Sequence, residues 1–252
     1  MKVALAYSVF NGVELLEKSI RTHAPFVDDI IICYQTVSNR GNFNDTLEKD
    51  LVKIATINKV QLHRWNPVLS YDTKTNELNK HNHMIGLCRS IGATHMIISA
   101  TDHFYQPDQF KWAIEQSVNY NLTLTAMFTY YKHPTWQLTP IEDYYMPFMI
   151  RLTDKTRFER QSIYPYKIDP SLKINTSSHH RLFEQTEIMM HHYSMIRMNI
   201  MDKFKNASSP TFDRAIKEGY MDEWVNYDIN SNPGVKYFSG RKIKIVENYF
   251  DI

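Results

Sequence analysis

The chemistry-bearing residues of this 252-residue chain gather in a few short stretches. The most informative is Ile97-Ile98-Ser99-Ala100-Thr101-Asp102-His103-Phe104-Tyr105-Gln106-Pro107-Asp108. An apolar, β-branched run ends and at once delivers a carboxylate and an imidazole, after which Pro107 can open a helix. A hard divalent cation wants oxygen ligands, and a strand end would fix Asp102 rigidly for that task. The simpler reading is that Asp102 caps the next helix and His103 is a solvated loop residue. Both readings stand at this level.

A second stretch is His191-His192-Tyr193-Ser194, after the strand-like run Glu184 to Met190. Adjacent residues on a strand point to opposite faces, so at most one of the two histidines reaches a shared site. Either one, as neutral imidazole, could add a nitrogen ligand to the same metal. His179-His180, in a Ser-rich loop, says less.

The elements that must position these groups alternate in period. Val3–Phe10, Asp29–Gln35, Val60–Trp65 and His95–Ser99 read as strands. Between them Gly12–His23, Asn44–Ile57 and Asp72–Ile91 read as helices, the last entered through an Asp/Thr cap and left at Gly92. The order βαβαβαβ predicts an α/β fold: a mostly parallel central sheet with helices on both faces and its ligand at the carboxyl ends of the strands. The second half predicts a helix at Pro107–Asn119, strands at Leu122–Tyr131, Met146–Leu152 and Leu182–Met190, and a long loop over Phe158–Ser178. Further helices are expected at Ser194–Asn206, with Ser194 as N-cap, and at Pro210–Tyr220. A terminal hairpin would join Val235–Phe238 to Lys242–Val246 around Ser239-Gly240. The expected organisation is one domain: residues 1–120 as a ligand-binding α/β half and 121–252 as a second half with a C-terminal elaboration.

Several function classes drop out. With 43% hydrophobic and 22% charged residues the chain is an ordinary globule rather than a disordered or collagen-like one. No apolar run approaches the ~20 residues of a membrane span, and Met1-Lys2-Val3 opens into strand-like sequence rather than a signal peptide, so a cytoplasmic setting is expected. Two isolated cysteines, Cys33 and Cys88, predict buried thiols in a reducing compartment. A net charge of +2 permits a nucleic-acid partner without demanding one. Only seven glycines occur, and Gly12 stands alone after the first strand, which argues against a dinucleotide fingerprint or a P-loop.

Ala6-Tyr7-Ser8-Val9-Phe10-Asn11-Gly12 followed by Leu15-Leu16-Glu17-Lys18-Ser19-Ile20 resembles the first strand and helix of the family 2-like glycosyltransferases of GT-A fold. Phe26–Gln35 resembles their second strand, and Gly92–Ile98 the strand that leads into their Asp-x-Asp metal motif. Aligned on Pro107, Asp102 is the second Asp and Ala100 replaces the first. The similarity spans roughly residues 1–115, with a looser echo at His191–Arg197.

The resemblance implies transfer of a sugar from a nucleoside-diphosphate sugar, first a UDP-sugar, to an acceptor hydroxyl, assisted by Mn2+ or Mg2+. Tyr7, Ser8 and Asn11 would line the nucleotide pocket, with Gln35 and Ser38 near the base or ribose and Lys80 and Thr101 near the diphosphate. Asp102, with His192 and His103, would hold the metal. An inverting transfer needs a carboxylate base, for which Asp143 and then Glu142 are the candidates, since Trp136, Tyr144 and Tyr145 around them suit a saccharide cleft. The Asn-, Lys- and Tyr-rich composition also resembles that of phage proteins, whose acceptors include hydroxymethylated bases in DNA. Arg241-Lys242-Ile243-Lys244 could then contact phosphates, or could simply protect an edge strand. Ala100, in the place of an acid, leaves open a non-catalytic nucleotide- or glycan-binding module. A nucleotidyltransferase would want a basic glycine loop after the first strand, which is missing.

Overall fold

The computed structural model describes residues 1–208, 218–232 and 234–252. The first half alternates as its periodicity predicts: β1 (Val3–Val9), α1 (Val13–His23), β2 (Asp29–Tyr34), α2 (Leu47–Asn58), β3 (Gln61–Arg64), α3 (Thr73–Ser90) and β4 (His95–Ala100). A two-residue strand β5 (His103–Phe104) and α4 (Pro107–Ser117) follow. The Asp72 carboxylate accepts the Thr75 N–H at 2.9 Å, which starts α3 where the sequence cap predicts.

The strands β3-β2-β1-β4 lie side by side and run parallel. Right-handed crossovers carry α1 and α2 to one face. The chain then reverses direction to place β4 on the far side of β1, which sends α3 to the other face. The reversal point therefore lies between β1 and β4, where Ser8 pairs with Ala100, and their carboxyl ends open a crevice. Burial is nearly complete along both strands, so their side chains form the centre of the apolar core with α1 and α3.

The second half completes the sheet. β6 (Leu122–Tyr131), β7 (Trp136–Thr139) and β8 (Met146–Arg151) follow, with β8 antiparallel between β4 and β6. Strands from both sides of residue 120 thus share one sheet. The stretch expected as a plain loop is clasped by a small ladder, β9 (Arg157–Phe158) against β10 (Ile174–Asn175). The single strand expected at Leu182–Met190 is two: β11 (His180–Leu182) and β12 (Met189–Met195), both parallel to β6 along successive stretches of it.

Two expectations at the C-terminal end give way. Ser194 caps no helix, because β12 runs through Met195, paired with β6 on one edge and β5 on the other. Helix α5 is only Ile200–Asn206, capped by Asn199, whose side chain accepts the Asp202 N–H at 3.2 Å. β12 is buried on both faces, so it shows no alternation, and its methionines, with Ile196 just beyond, mimic a helical stripe. The terminal hairpin shrinks to one antiparallel bridge, Val235 to Arg241, across the Ser239-Gly240 turn: residues Lys236–Phe238 form a 3-10 turn, and β13 (Lys242–Ile245) pairs antiparallel with β7. The helix expected at Pro210–Tyr220 falls mostly on residues outside the described ones; helix α6 is Tyr220–Asn226. Cys33 and Cys88 are free and buried, as expected. No helix among the described residues is long and apolar enough to cross a membrane.

Candidate active site

The crevice at the carboxyl ends of β1 and β4 opens into a cavity of about 900 Å³. Of the residues singled out in the sequence, Ser8, Asn11, Gln35, Ser38, Lys80, Thr101, Asp102, His103, Glu142 and His192 all line it. Tyr7 does not. Neighbouring strand residues face opposite ways, so with Ser8 in the cavity Tyr7 points into the core, 0% exposed, its hydroxyl 2.9 Å from the Ser19 Oγ.

Asp102, His103 and His192 converge, their ligand-type atoms all within 4.8 Å of one another. The convergence follows from the sheet: β12 runs antiparallel to β5, with His192 opposite His103. The Tyr193 N–H donates to the Asp102 carbonyl at 2.9 Å and locks the turn to β12. The Nε2 atoms of His103 and His192 stand 3.8 and 3.9 Å from the Asp102 Oδ1. His103 Nδ1 accepts the Ala100 N–H at 3.3 Å, which leaves its Nε2 toward the cluster. So the position where an acid was expected serves, through its backbone, to orient the imidazole beside it. Burial lowers the pKa of His103 and takes that of His192 to about 3, so both rings are neutral. With its Nδ1 accepting from Ala100, His103 carries its proton on Nε2, on the side of Asp102. His191 faces the other way, its Nδ1 2.7 Å from the Tyr130 hydroxyl within an aromatic cluster.

The other oxygen of Asp102 is held by two cations that the sequence reading did not assign to the site. Arg197 donates to Oδ2 in a short contact, and the Lys203 Nζ lies 3.4 Å away. Burial by itself would raise the Asp102 carboxyl, but Arg197 and then Lys203 outweigh it and hold the group well below the usual range. Lys203, itself pushed down to about 8 by burial, and Arg197 come from the segment between β12 and the end of α5. That segment straps across the cavity mouth: Arg40 Nε donates to the Ala207 carbonyl at 2.8 Å, and the Thr73 hydroxyl to the Ser208 carbonyl at 3.0 Å. Lys80, lowered to about 8 by burial, donates to the Val9 carbonyl at 3.1 Å from the opposite wall.

The two carboxylates expected as bases part company. Asp143 lies outside the cavity, its side chain 73% exposed and ion-paired with Lys167. Glu142 does line the cavity, but it is tied to Arg241 and accepts the Thr129 hydroxyl at 3.0 Å. Arg241 is thereby engaged inside the fold, so the basic run Arg241–Lys244 offers only its lysines to solvent. Of the aromatic residues expected around a saccharide, Tyr144 lines this end while Trp136 and Tyr145 do not; Tyr237 and Phe238, from the C-terminal segment, take their place.

No protein-family profile matches the chain, and no curated protein does. Several solved structures are similar to it at low identity. S. aureus TarS matches at 10% identity and a TM-score of 0.46, over 88% of this chain and 40% of that one. The mannosyltransferase PcManGT from Pyrobaculum calidifontis, solved with GDP-Man and Mn2+, matches at 12% identity and 0.35, over 53% and 36%. Glucosyl-3-phosphoglycerate synthase from Mycobacterium tuberculosis, solved with Mn2+, UDP-Glc and phosphoglyceric acid, matches at 13% and 0.32, over 51% and 44%. The chain thus spans about two fifths of the first of these. Similarities this distant assign no residue roles; the cavity itself has to.

Proposed function

We propose that the protein is a glycosyltransferase that moves a sugar from a nucleoside-diphosphate donor to an acceptor hydroxyl. The observation that carries this reading is the Asp102–His103–His192 cluster at the sheet's reversal point, ringed by Arg197, Lys203 and Lys80 in one large cavity. A diphosphate carries the charge that three cations around a strand end can balance. The cavity is also roomy enough for a nucleotide, its sugar and part of an acceptor.

One carboxylate oxygen and the His192 imidazole, joined by His103 once its ring gives up the Ala100 N–H, form a donor set that fits a divalent cation of the Mn2+ type, the nitrogens favouring it over Mg2+. Asp102, His103 and His192 would hold it. A cation bound there would offset the negative charge that grows on the departing diphosphate. The chain's own groups do the rest. Arg197 and Lys203, which now neutralise Asp102, turn to the phosphate oxygens, and Lys80 approaches them from α3. Ser8, Asn11, Gln35 and Ser38 line the end of the cavity suited to the nucleoside, with a UDP-sugar the first donor to try. The strap over residues 197–208 keeps water from the anomeric carbon. The acceptor enters beside Tyr144, Tyr237 and Phe238, whose rings suit the apolar face of a saccharide; a modified base in DNA would use the same end.

The test is release of nucleoside diphosphate from a panel of UDP- and GDP-sugars with Mn2+ and mixed saccharide or hydroxymethylated-DNA acceptors. Turnover in the wild type that Asp102→Ala abolishes is the expected result. Turnover unchanged by that substitution, or no turnover of any donor, contradicts the reading.

A further inference from the structure

The proposed transfer needs a group to accept the proton of the attacking hydroxyl, and four of the five carboxylates on the cavity wall are engaged or displaced from that role. Asp102 is held by Arg197 and Lys203. Glu142 is paired with Arg241. Asp72 caps α3 and binds Arg160 at 2.9 Å. Glu77 sits on α3 one turn from Lys80, and the charges of Lys80 and Lys74 bear on it. Asp169 remains.

Asp169 lies in the stretch that the sequence reading treats as a plain loop, yet it is rigidly held. The Asp169 N–H donates to the Tyr145 carbonyl at 3.0 Å, and the Tyr145 N–H to the Lys167 carbonyl at 2.8 Å. Ile168 and Leu172 on either side are buried in the main core. One carboxylate oxygen accepts the Ser171 N–H at 2.7 Å and the Ser171 hydroxyl at 2.5 Å. Its other oxygen carries none of these bonds. Across the wall from it stand Glu77 and His81, one helical turn apart on the same face of α3. His81 is 5% exposed, and its Nδ1 has no hydrogen-bond partner among the described residues, a costly arrangement unless a ligand supplies one.

Resting on the glycosyltransferase reading, with the inverting course that the family resemblance implies, we propose that Asp169 is the catalytic base. The acceptor hydroxyl gives its proton to the free oxygen of Asp169. The oxygen's electron pair forms the bond to the anomeric carbon as the bond from that carbon to the diphosphate oxygen breaks. The electron pair of the broken bond leaves with the nucleoside diphosphate. Glu77, whose carboxyl is lifted to about 7 by burial and then by the charge of Asp169, is the near neighbour of Asp169 on this wall. His81 Nδ1 receives a hydrogen bond from a second hydroxyl of the bound sugar or acceptor.

The experiment uses the full chain with the best donor of the panel, measuring donor affinity by calorimetry, turnover, and the anomeric configuration of the product by NMR. Asp169→Asn is expected to lower kcat by about 10²–10⁴-fold while donor affinity stays within about 3-fold of the wild type, and the wild-type product is expected to show the opposite anomeric configuration to the donor. Unchanged donor affinity doubles as the check that the variant folds. A product of retained configuration, or loss of turnover in Asp143→Asn but not in Asp169→Asn, overturns the assignment while leaving the transferase reading intact. A wild type that turns over no donor overturns that reading itself.

Discussion

Arg197 packs directly over the α-carbon of Gly12: a β-carbon at Gly12 would lie 1.3 Å from the Arg197 Nη1. Gly12 also holds a φ of 74°, a conformation that L residues with side chains adopt at a cost. Only a glycine in the turn after β1 leaves room for the Arg197 guanidinium to reach Asp102. Gly12→Ala should therefore expel Arg197 and weaken donor binding by about tenfold, the loss of one charge-assisted hydrogen bond. Calorimetry with the best nucleotide sugar checks this; Arg197→Ala should reproduce the loss, and the double variant should lose little more.

The donor set at Asp102 makes a metal prediction. Mn2+ should raise the melting temperature of the wild type in a concentration-dependent way, and Mg2+ should do so less. His192→Ala should abolish the shift without abolishing folding, since that ring is partly exposed at the cavity wall. A shift of equal size in His192→Ala would place the ion elsewhere.

Acid should unfold the protein earlier than its carboxylates alone would require. His23, His81 and His192 are each held at about 3 by burial. Between the usual histidine value of about 6.5 and that depressed value, the unfolded chain binds protons that the folded chain refuses, so stability falls as pH falls through this window. Each such ring contributes a slope of at most about 1.4 kcal/mol per pH unit. Asp102 works in the same direction but lower: its pairs with Arg197 and Lys203 stabilise above the usual carboxylate range and are lost as pH falls toward its depressed value. Thermal melts from pH 7 to pH 4 should drop steadily, and His23→Gln should flatten the curve.

Glu142 belongs to the wall rather than to the chemistry. Its side chain is 7% exposed and bound to Arg241, and Arg241 has a buried Nη1 with no other partner among the described residues. Glu142→Ala should destabilise the fold by about 3 kcal/mol, because a buried guanidinium loses its counter-charge. Chemical denaturation measures this directly. A variant of wild-type stability that has lost turnover would instead return Glu142 to the chemistry.

The parallel half of the sheet was legible because Val3–Val9, Asp29–Tyr34 and His95–Ala100 are apolar runs separated by helices, a pattern that calls for a parallel sheet; the strand order was not legible. Asp102, His103 and His192 were legible as candidates because chemistry-bearing side chains stood at predicted strand ends. Arg197 and Lys203 were not: their pairing with Asp102 spans 95 and 101 residues and leaves no local pattern. Asp169 hid for a related reason, since its fixed position comes from a bridge to Tyr145 and a two-residue ladder, both set by tertiary packing. Ser194 misled because it precedes helix-like spacing on a strand whose two faces are both covered. Tyr7 misled because a strand end offers two faces and sequence does not say which one opens to the cavity.

The most direct test of the account is calorimetric titration of UDP-sugars and GDP-sugars into the wild type and Lys203→Ala in the presence of Mn2+. Saturable binding of at least one nucleotide sugar by the wild type, weakened about tenfold or more in the variant through the lost phosphate contact, is what the cavity predicts. No binding of any nucleotide sugar at millimolar concentration, or equal affinity in both proteins, would contradict it.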